Sequence, residues 1–374
     1  MFTPLNKKKR PPGLDYTLLG FVAALSLAGA LMVYSTSSVY ALENHGDSWR
    51  FFNLQMAYLA VGFALMCAVM MTDYRRLKKL AVPAYFVGIA LLVAVLFEGI
   101  GKEVFGARRW IVVGGFTFQP SEFAKFMFFL YMAESLSRKG DVMGSFSRGV
   151  APYLITGGVY AGLILVEPDF GAAFIIISVM GMMLFTGGAK LSHLSALAGG
   201  GVLFTILAVI IEPYRKARLL SFLDPWANYI DSGYQAVQSM VAFSLGGLFG
   251  QGLGASNQKL FFLPQAHTDF ILSIIGEELG FAGVLTVVAG FAVILFRGVR
   301  IAVTAPDPFG FHLVMSYTLL IVFQAVLNMA VALSLLPTKG LTLPFLSYGG
   351  TSLVVSLGAM GVILSVSRAR ARKQ

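Results

Sequence analysis

The sequence predicts an all-α polytopic membrane protein: a bundle of ten transmembrane helices with both termini in the cytoplasm. Three observations carry that expectation. Of the 374 residues, 57% are hydrophobic and only 12% charged, against about 25% charged in a typical soluble domain. The mean hydropathy is +0.77. Ten stretches approach the ~20 predominantly apolar residues that cross a bilayer as a helix. A soluble enzyme, a disordered chain and a secreted disulfide scaffold are excluded by the same composition. With 28 basic and 18 acidic side chains, the chain could not clothe a fold of this size in water. Cys67 stands alone, so no internal disulfide forms, and no Cys/His cluster suggests zinc.

The expected spans are residues 15–36, 52–71, 80–98, 119–137, 151–167, 170–188, 190–211, 267–296, 310–333 and 342–366. Together they make a membrane domain over 15–366. It is flanked by a basic cytoplasmic N-terminus (1–14) and a basic cytoplasmic tail (367–374). Orientation follows from Lys and Arg in the short loops. With the N-terminus inside, eighteen basic residues fall on the cytoplasmic side, from Lys7–Arg10 through Arg75, Arg76, Lys78 and Lys79 to Arg368–Lys373, and ten fall outside. The net charge of +10 is then a positive-inside bias with anionic-lipid contact, and no nucleic-acid partner is expected. The long connections, 99–118 and 212–266, both fall outside. They are rich in aromatics and glycine, so a functional role is expected of them.

The motifs follow in chain order. Arg108-Arg109-Trp110 precedes the fourth span. Two guanidinium groups beside an indole at the interface suit a phosphate-bearing headgroup. Gln119-Pro120-Ser121-Glu122-Phe123-Ala124-Lys125 opens that span. Pro120 suits a first helical turn, and Glu122 and Lys125 share a face and can pair. Glu167-Pro168-Asp169-Phe170-Gly171 joins spans five and six so tightly that both carboxylates stay near the membrane surface. Residues 234–249 have near-helical spacing and suit a helix lying in the interface.

Leu263-Pro264-Gln265-Ala266-His267-Thr268-Asp269-Phe270 opens the eighth span. Pro264 is expected in its first turn, and Asp269 about a turn inside. A carboxylate held there is a candidate general base. Glu277 and Glu278 lie ~12–14 Å deeper on the same helix, too far for direct chemistry with Asp269, and are expected in a structural polar network. Lys339 is the only charged residue between Asp307 and Arg368. It sits in Leu336-Pro337-Thr338-Lys339-Gly340-Leu341-Thr342, with Ser347-Tyr348-Gly349-Gly350 beyond. A lone external cation suggests an anionic ligand or a partner carboxylate such as Asp269. Gly250-Gln251-Gly252-Leu253-Gly254 lacks the strand and Gly-Lys-Ser/Thr of a nucleotide loop.

These five ordered motifs resemble the SEDS family (shape, elongation, division and sporulation) over residues 15–366. The wording of Ala266-His267-Thr268-Asp269, Ile274-Ile275-Gly276-Glu277-Glu278 and Thr338-Lys339-Gly340-Leu341-Thr342 is closer to the division members than to the elongation members. Gln265 departs from the pattern, where most members carry Glu, and removes a carboxylate beside Asp269.

The resemblance implies an inverting peptidoglycan glycosyltransferase that polymerises lipid II during cell division. It would work at the outer face of the bacterial cytoplasmic (inner) membrane, with the division septum as its place. The implied partners are a single-span class B penicillin-binding protein, other division proteins, lipid II and undecaprenyl pyrophosphate. Asp269 is then the expected base. Arg108, Arg109, Trp110, Asp169, His267 and Lys339 are expected at the substrate, with Glu122, Lys125, Glu277 and Glu278 as a supporting network. A divalent cation (Mg or Mn) shared with Asp269 or Asp169 is the one cofactor to consider. A lipid II flippase or transporter and a non-catalytic division scaffold are the competing readings. The flippase would use the same intramembrane charges as a headgroup path, and the scaffold would be catalytically silent.

Overall fold

The computed structural model describes residues 13–104, 107–114, 116–211, 222–230 and 233–369. Lys7–Arg10, the residues after Ala369, and Arg215, Lys216 and Arg218 lie outside the described residues. The helices are α1 (Tyr16–His45), α2 (Arg50–Met71), α3 (Leu77–Ala94), α4 (Pro120–Arg138), α5 (Ala151–Val166), α6 (Phe170–Thr186), α7 (Leu191–Ile211), α8 (Tyr234–Gly246), α9 (Ile271–Val303), α10 (Pro308–Ala332) and α11 (Gly350–Ala369). Among the described residues, seven helices are long and apolar enough to cross a membrane: α1, α2, α3, the stretch Phe146–Val166 ending in α5, α9, α10 and α11. Seven of the ten expected spans meet this criterion among the described residues. α4 falls outside it with Glu122, Lys125, Glu134 and Arg138 on 19 residues, and α6 has only 17. The chain is a multi-pass helical membrane protein.

Local chemistry starts the helices where they start. Asp15, Asp169 and Asp307 each accept a hydrogen bond from a backbone N–H of the first turn, at Leu18, Ala172 and Gly310, which satisfies a donor the helix itself cannot. Pro120 and Pro308 occupy first-turn positions, where their fixed φ costs nothing. α10 and α11 are the most deeply buried of the spans. α11 packs along α2, α3 along α4, and α10 against α9, α4 and α6.

Charged side chains staple one end of the bundle. The Arg297 guanidinium grips Asp15 at 2.6 Å, joining α9 to α1. Tyr74 donates to Asp307 at 2.6 Å, and Arg75 reaches the same oxygen at 3.2 Å.

The opposite end carries the long connections. Residues 101–118 fold into an antiparallel sheet, β1 (Gly101–Val104), β2 (Ala107–Val113) and β3 (Phe116–Phe118), in the order β1-β2-β3. An all-helical expectation missed this sheet, whose strands are too short to show a period. Two helix starts also move. Residues 264–270 are turns, and α9 begins at Ile271 rather than at Pro264, so Asp269 precedes the helix instead of lying within it. Gln265 takes φ +59 and its carbonyl accepts from the N–H groups of Thr268 and Phe270. That closes a turn no α-helix can continue through. The last helix begins at Gly350 rather than at 342, because Phe345 takes φ +68 and Pro344 sits beside it. The apolar run continues through both turns, which is why hydropathy extended the spans over them.

Candidate active site

The end of the bundle that holds the sheet contains a cavity of about 870 Å³. β2 supplies Arg109 and Trp110 to its wall, the start of α4 supplies Gln119 and Glu122, and the cap of α6 supplies Asp169. The turn before α9 supplies Gln265, His267 and Asp269. The loop before α11 supplies Lys339, Gly340 and Tyr348. Residues from these five separate stretches of the sequence thus meet in one place.

Asp269 keeps part of its surface open to the cavity, yet protein surrounds it closely. Burial, helped by the nearby negative charge of Asp169, pushes its carboxyl up to about 7. A carboxylate poised there can both take and hold a proton near neutral pH. His267 lies among the rings of Phe51, Tyr40 and Tyr348 at 5.0, 5.7 and 5.9 Å. Burial lowers its imidazole to about 4, so it is neutral at pH 7. Glu167 is fully buried. Burial, and then the Asp169 charge, pushes its carboxyl up to about 8.

The two arginines part company. Successive residues of a strand point to opposite faces. Arg108 turns outward and pairs with Glu98 at 2.7 Å and Glu103 at 3.3 Å, and it does not line the cavity. Arg109 turns to the bundle and donates to the carbonyls of Glu167 and Pro168, at 2.8 and 2.6 Å. Lys102, on the neighbouring strand, also lines the cavity. Lys339, from the loop before α11, lines it too, its ammonium 5.0 Å from the centre of the Phe174 ring. The cavity therefore places carboxylates and cations around a single space.

Glu277 and Glu278 lie away from it. Glu277 accepts from the Ser256 hydroxyl and from the backbone N–H groups of Asn257 (2.9 Å) and Gln258 (3.3 Å). Glu278 accepts from Ser35 at 2.7 Å and from the Lys259 ammonium at 2.8 Å. Each glutamate anchors the loop that leads to the 264–270 turn. Glu122, on the cavity wall, pairs with Lys125 at 2.7 Å, and Lys125 also donates to Gln324 at 2.9 Å. Gln324 in turn donates to the Thr342 carbonyl at 3.1 Å.

Neither Gln324 nor Asn328 is among the residues singled out from the sequence. They are amide side chains one helical turn apart in an otherwise apolar span, and that spacing puts them on one face of α10. That was the available signal.

No group of three or more His, Cys, Asp or Glu side chains gathers among the described residues. Asp169 and Asp269 are two oxygen-donor groups on the same cavity. They fit a hard divalent cation only if substrate oxygens or water complete its shell, as is usual for magnesium.

A family model described as a cell cycle protein, covering FtsW, RodA and SpoVE, matches residues 16–372. The chain is 44% identical over 367 residues to the probable peptidoglycan glycosyltransferase FtsW of Trichlorobacter lovleyi, covering 98% of this chain and 96% of that one. It is 40% identical over 366 residues to stage V sporulation protein E of Bacillus subtilis, covering 97% and 99%. Among solved structures, it superimposes on a chain from work on polymerization and crosslinking by a peptidoglycan synthase complex. The TM-score is 0.78 and the identity 29%, with 96% of this chain and 98% of that one covered. The rod-shape-determining protein RodA of Thermus thermophilus matches with TM-score 0.70 and 29% identity, covering 96% and 97%.

Proposed function

Because the chain belongs to the cell cycle protein family of FtsW, RodA and SpoVE, we propose that it is a peptidoglycan glycosyltransferase that polymerises lipid II. The observation that carries this reading is the carboxylate of Asp269 facing a cavity that also holds Arg109, Lys102 and Lys339. The cavity sits at the end of the bundle opposite the Asp15–Arg297 and Tyr74–Asp307 staples, which the charge bias assigns to the cytoplasm. In this reading it opens on the outer face of the bacterial cytoplasmic membrane, at the division septum.

The reaction joins the GlcNAc 4-hydroxyl of one lipid-linked disaccharide to the MurNAc anomeric carbon of another. The C–O bond to undecaprenyl pyrophosphate breaks as the new C–O bond forms. An α-linked donor and a β-linked product make this an inverting displacement, with one base and no covalent intermediate. Asp269 takes the hydroxyl proton. Arg109, Lys339 and Lys102 hold the leaving pyrophosphate, and cations already in place stabilise the charge that builds on it. Asp169 raises the proton affinity of Asp269 and caps α6. Trp110 and neutral His267 offer flat faces to sugar rings. A bound divalent cation would add positive charge at the pyrophosphate, with Asp169 and Asp269 as its protein ligands. The partner in this reading is a class B penicillin-binding protein that crosslinks the glycan, with other division proteins around the pair.

The test is purified protein, its cognate transpeptidase and labelled lipid II in detergent. Glycan chains from the wild type and none from Asp269→Ala are expected. A wild type that makes no polymer beside its partner, yet moves lipid II across vesicles, would establish the flippase instead.

A further inference from the structure

We propose that Asn328 is a positioning residue that sets the spacing between Asp269 and the loop carrying Lys339. The proposal rests on the glycosyltransferase reading above and names a residue outside the cavity wall. Asn328 lies near the end of α10 and is 1% exposed. Its side-chain nitrogen donates to the carbonyl of Asp269 at 2.8 Å and to the carbonyl of Leu341 at 2.5 Å. An amide NH2 has two donor hydrogens. Here one goes to the segment that bears the base and the other to the segment that bears the cation.

Three further observations make this more than a packing contact. First, the two segments touch next to the chemistry. A Cβ placed on Gly340 would stand 3.3 Å from the Asp269 carboxylate, so a shift of either backbone alters the surroundings of the base directly. Second, the Asn328 carbonyl oxygen is buried with no hydrogen-bond partner among the described residues. Buried amides are normally satisfied at both ends. This one is oriented by its donors alone, and the reverse orientation would set its oxygen against two carbonyl oxygens. Third, the far side of the same junction is stitched independently. The Ser347 hydroxyl donates to the Thr268 carbonyl and the Tyr348 N–H to the His267 carbonyl at 2.9 Å. Losing Asn328 therefore loosens the spacing without dismantling the junction.

The experiment uses the full chain with its transpeptidase partner and labelled lipid II in detergent. It compares wild type, Asn328→Ala, Asn328→Asp, Lys339→Ala and the double variant Asn328→Ala/Lys339→Ala. Thermal unfolding establishes the folded fraction. Hydrogen exchange reads residues 264–270 and 338–343 without reference to activity. Asn328→Ala is expected to lower kcat per folded molecule about 10–100-fold, the scale of a small misplacement of reacting groups, with KM changed less than about threefold. Exchange rises in both segments together. The double variant loses less than the product of the single losses, because both changes disturb one arrangement. Asn328→Asp is as impaired as the alanine variant at about pH 8, because a carboxylate brings no donor to either carbonyl. Wild-type kcat in Asn328→Ala, exchange confined to one segment, or a loss explained by the folded fraction would each overturn the proposal. If the wild type makes no glycan at all, the enzymatic reading fails, while the exchange data still decide whether Asn328 couples the two segments.

Discussion

The ammonium of Lys125 stands 2.7 Å from the carboxylate of Glu122, with 1% of the lysine and 12% of the glutamate side chain exposed. One helical turn separates them, and Gln324 on α10 completes the lysine's contacts. Taking either charge away leaves the other desolvated without its counter-ion, which costs about 3–5 kcal/mol at a buried pair. Lys125→Met should therefore lower the thermal unfolding midpoint in detergent markedly. Glu122→Gln should lower it less, because an amide oxygen still accepts from the ammonium. The double variant Glu122→Leu/Lys125→Met should recover part of the loss. Unfolding midpoints for the four proteins check this, and an unshifted Lys125→Met would refute it.

Arg108 and Arg109 are neighbours in sequence with opposite expected phenotypes. Arg108 is engaged with Glu98 and Glu103 on the outer surface, where ion pairs contribute about 0–1 kcal/mol. Arg109 lines the cavity. Arg108→Ala should polymerise lipid II within about twofold of wild type. Arg109→Ala should lose at least about tenfold in kcat/KM, the scale of one charge-assisted phosphate contact. Equal losses in the two variants would remove Arg109 from the pyrophosphate.

The pH dependence has a definite sign. The base form of Asp269 is the ionised one, and its carboxyl is held at about 7 by burial first and by Asp169 second. Polymerisation should rise as pH climbs through about 7. Asp169→Asn removes a negative neighbour, so the proton leaves Asp269 more readily and the rising limb moves to lower pH. Stability runs the other way. The folded state holds this proton more tightly than the unfolded chain, whose carboxyl titrates near 4. The contribution is therefore complete below about 4 and is lost as pH rises through about 7. Asp269→Asn should flatten that part of the stability curve. A wild-type rate profile that is flat between pH 6 and 8 would exclude Asp269 as the base.

What could be read from the sequence divides by physical scale. Hydropathy found the helices, because a span of about 20 apolar residues is a long signal. Proline at Pro120 and the Glu122/Lys125 spacing located the start and paired face of α4, because both act within one turn. The starts of α9 and α11 were misplaced. Their positions depend on left-handed conformations at Gln265 and Phe345, and neither residue type announces them. The sheet at 101–118 was unreadable because its strands are three to seven residues long. Arg108 could not be told from Arg109 without the strand that turns them apart. The convergence on the cavity was partly visible. Asp269, Asp169, Arg109, Trp110, His267 and Lys339 were all singled out by local chemistry. Asn328 and Gln324 were not, because their partners, Asp269, Leu341, Lys125 and Thr342, lie on other segments of the chain.

Gly280 supplies the last test. Within α9 it takes φ +66 and ψ −165, a conformation reserved for glycine, and it kinks the helix just past Glu277 and Glu278. The chain after α8 packs into that kink. A Cβ on Gly280 would fall 2.4 Å from the Gly250 nitrogen and 2.6 Å from the Leu248 carbonyl group. Both are backbone atoms that cannot swing aside. Gly280→Ala therefore meets backbone strain of about 1–3 kcal/mol and a clash as well. It should displace the 247–258 segment that the two glutamates anchor. Gly181 in α6 is the matched control, since nothing lies within 4 Å of a Cβ there. Gly181→Ala should be neutral or stabilising by up to about 1 kcal/mol from helix propensity alone. Thermal unfolding and limited proteolysis read both variants. Gly280→Ala should unfold earlier and be cut faster within 247–258, and Gly181→Ala should do neither. If the two alanine variants behave alike, the kink does not hold that loop in place.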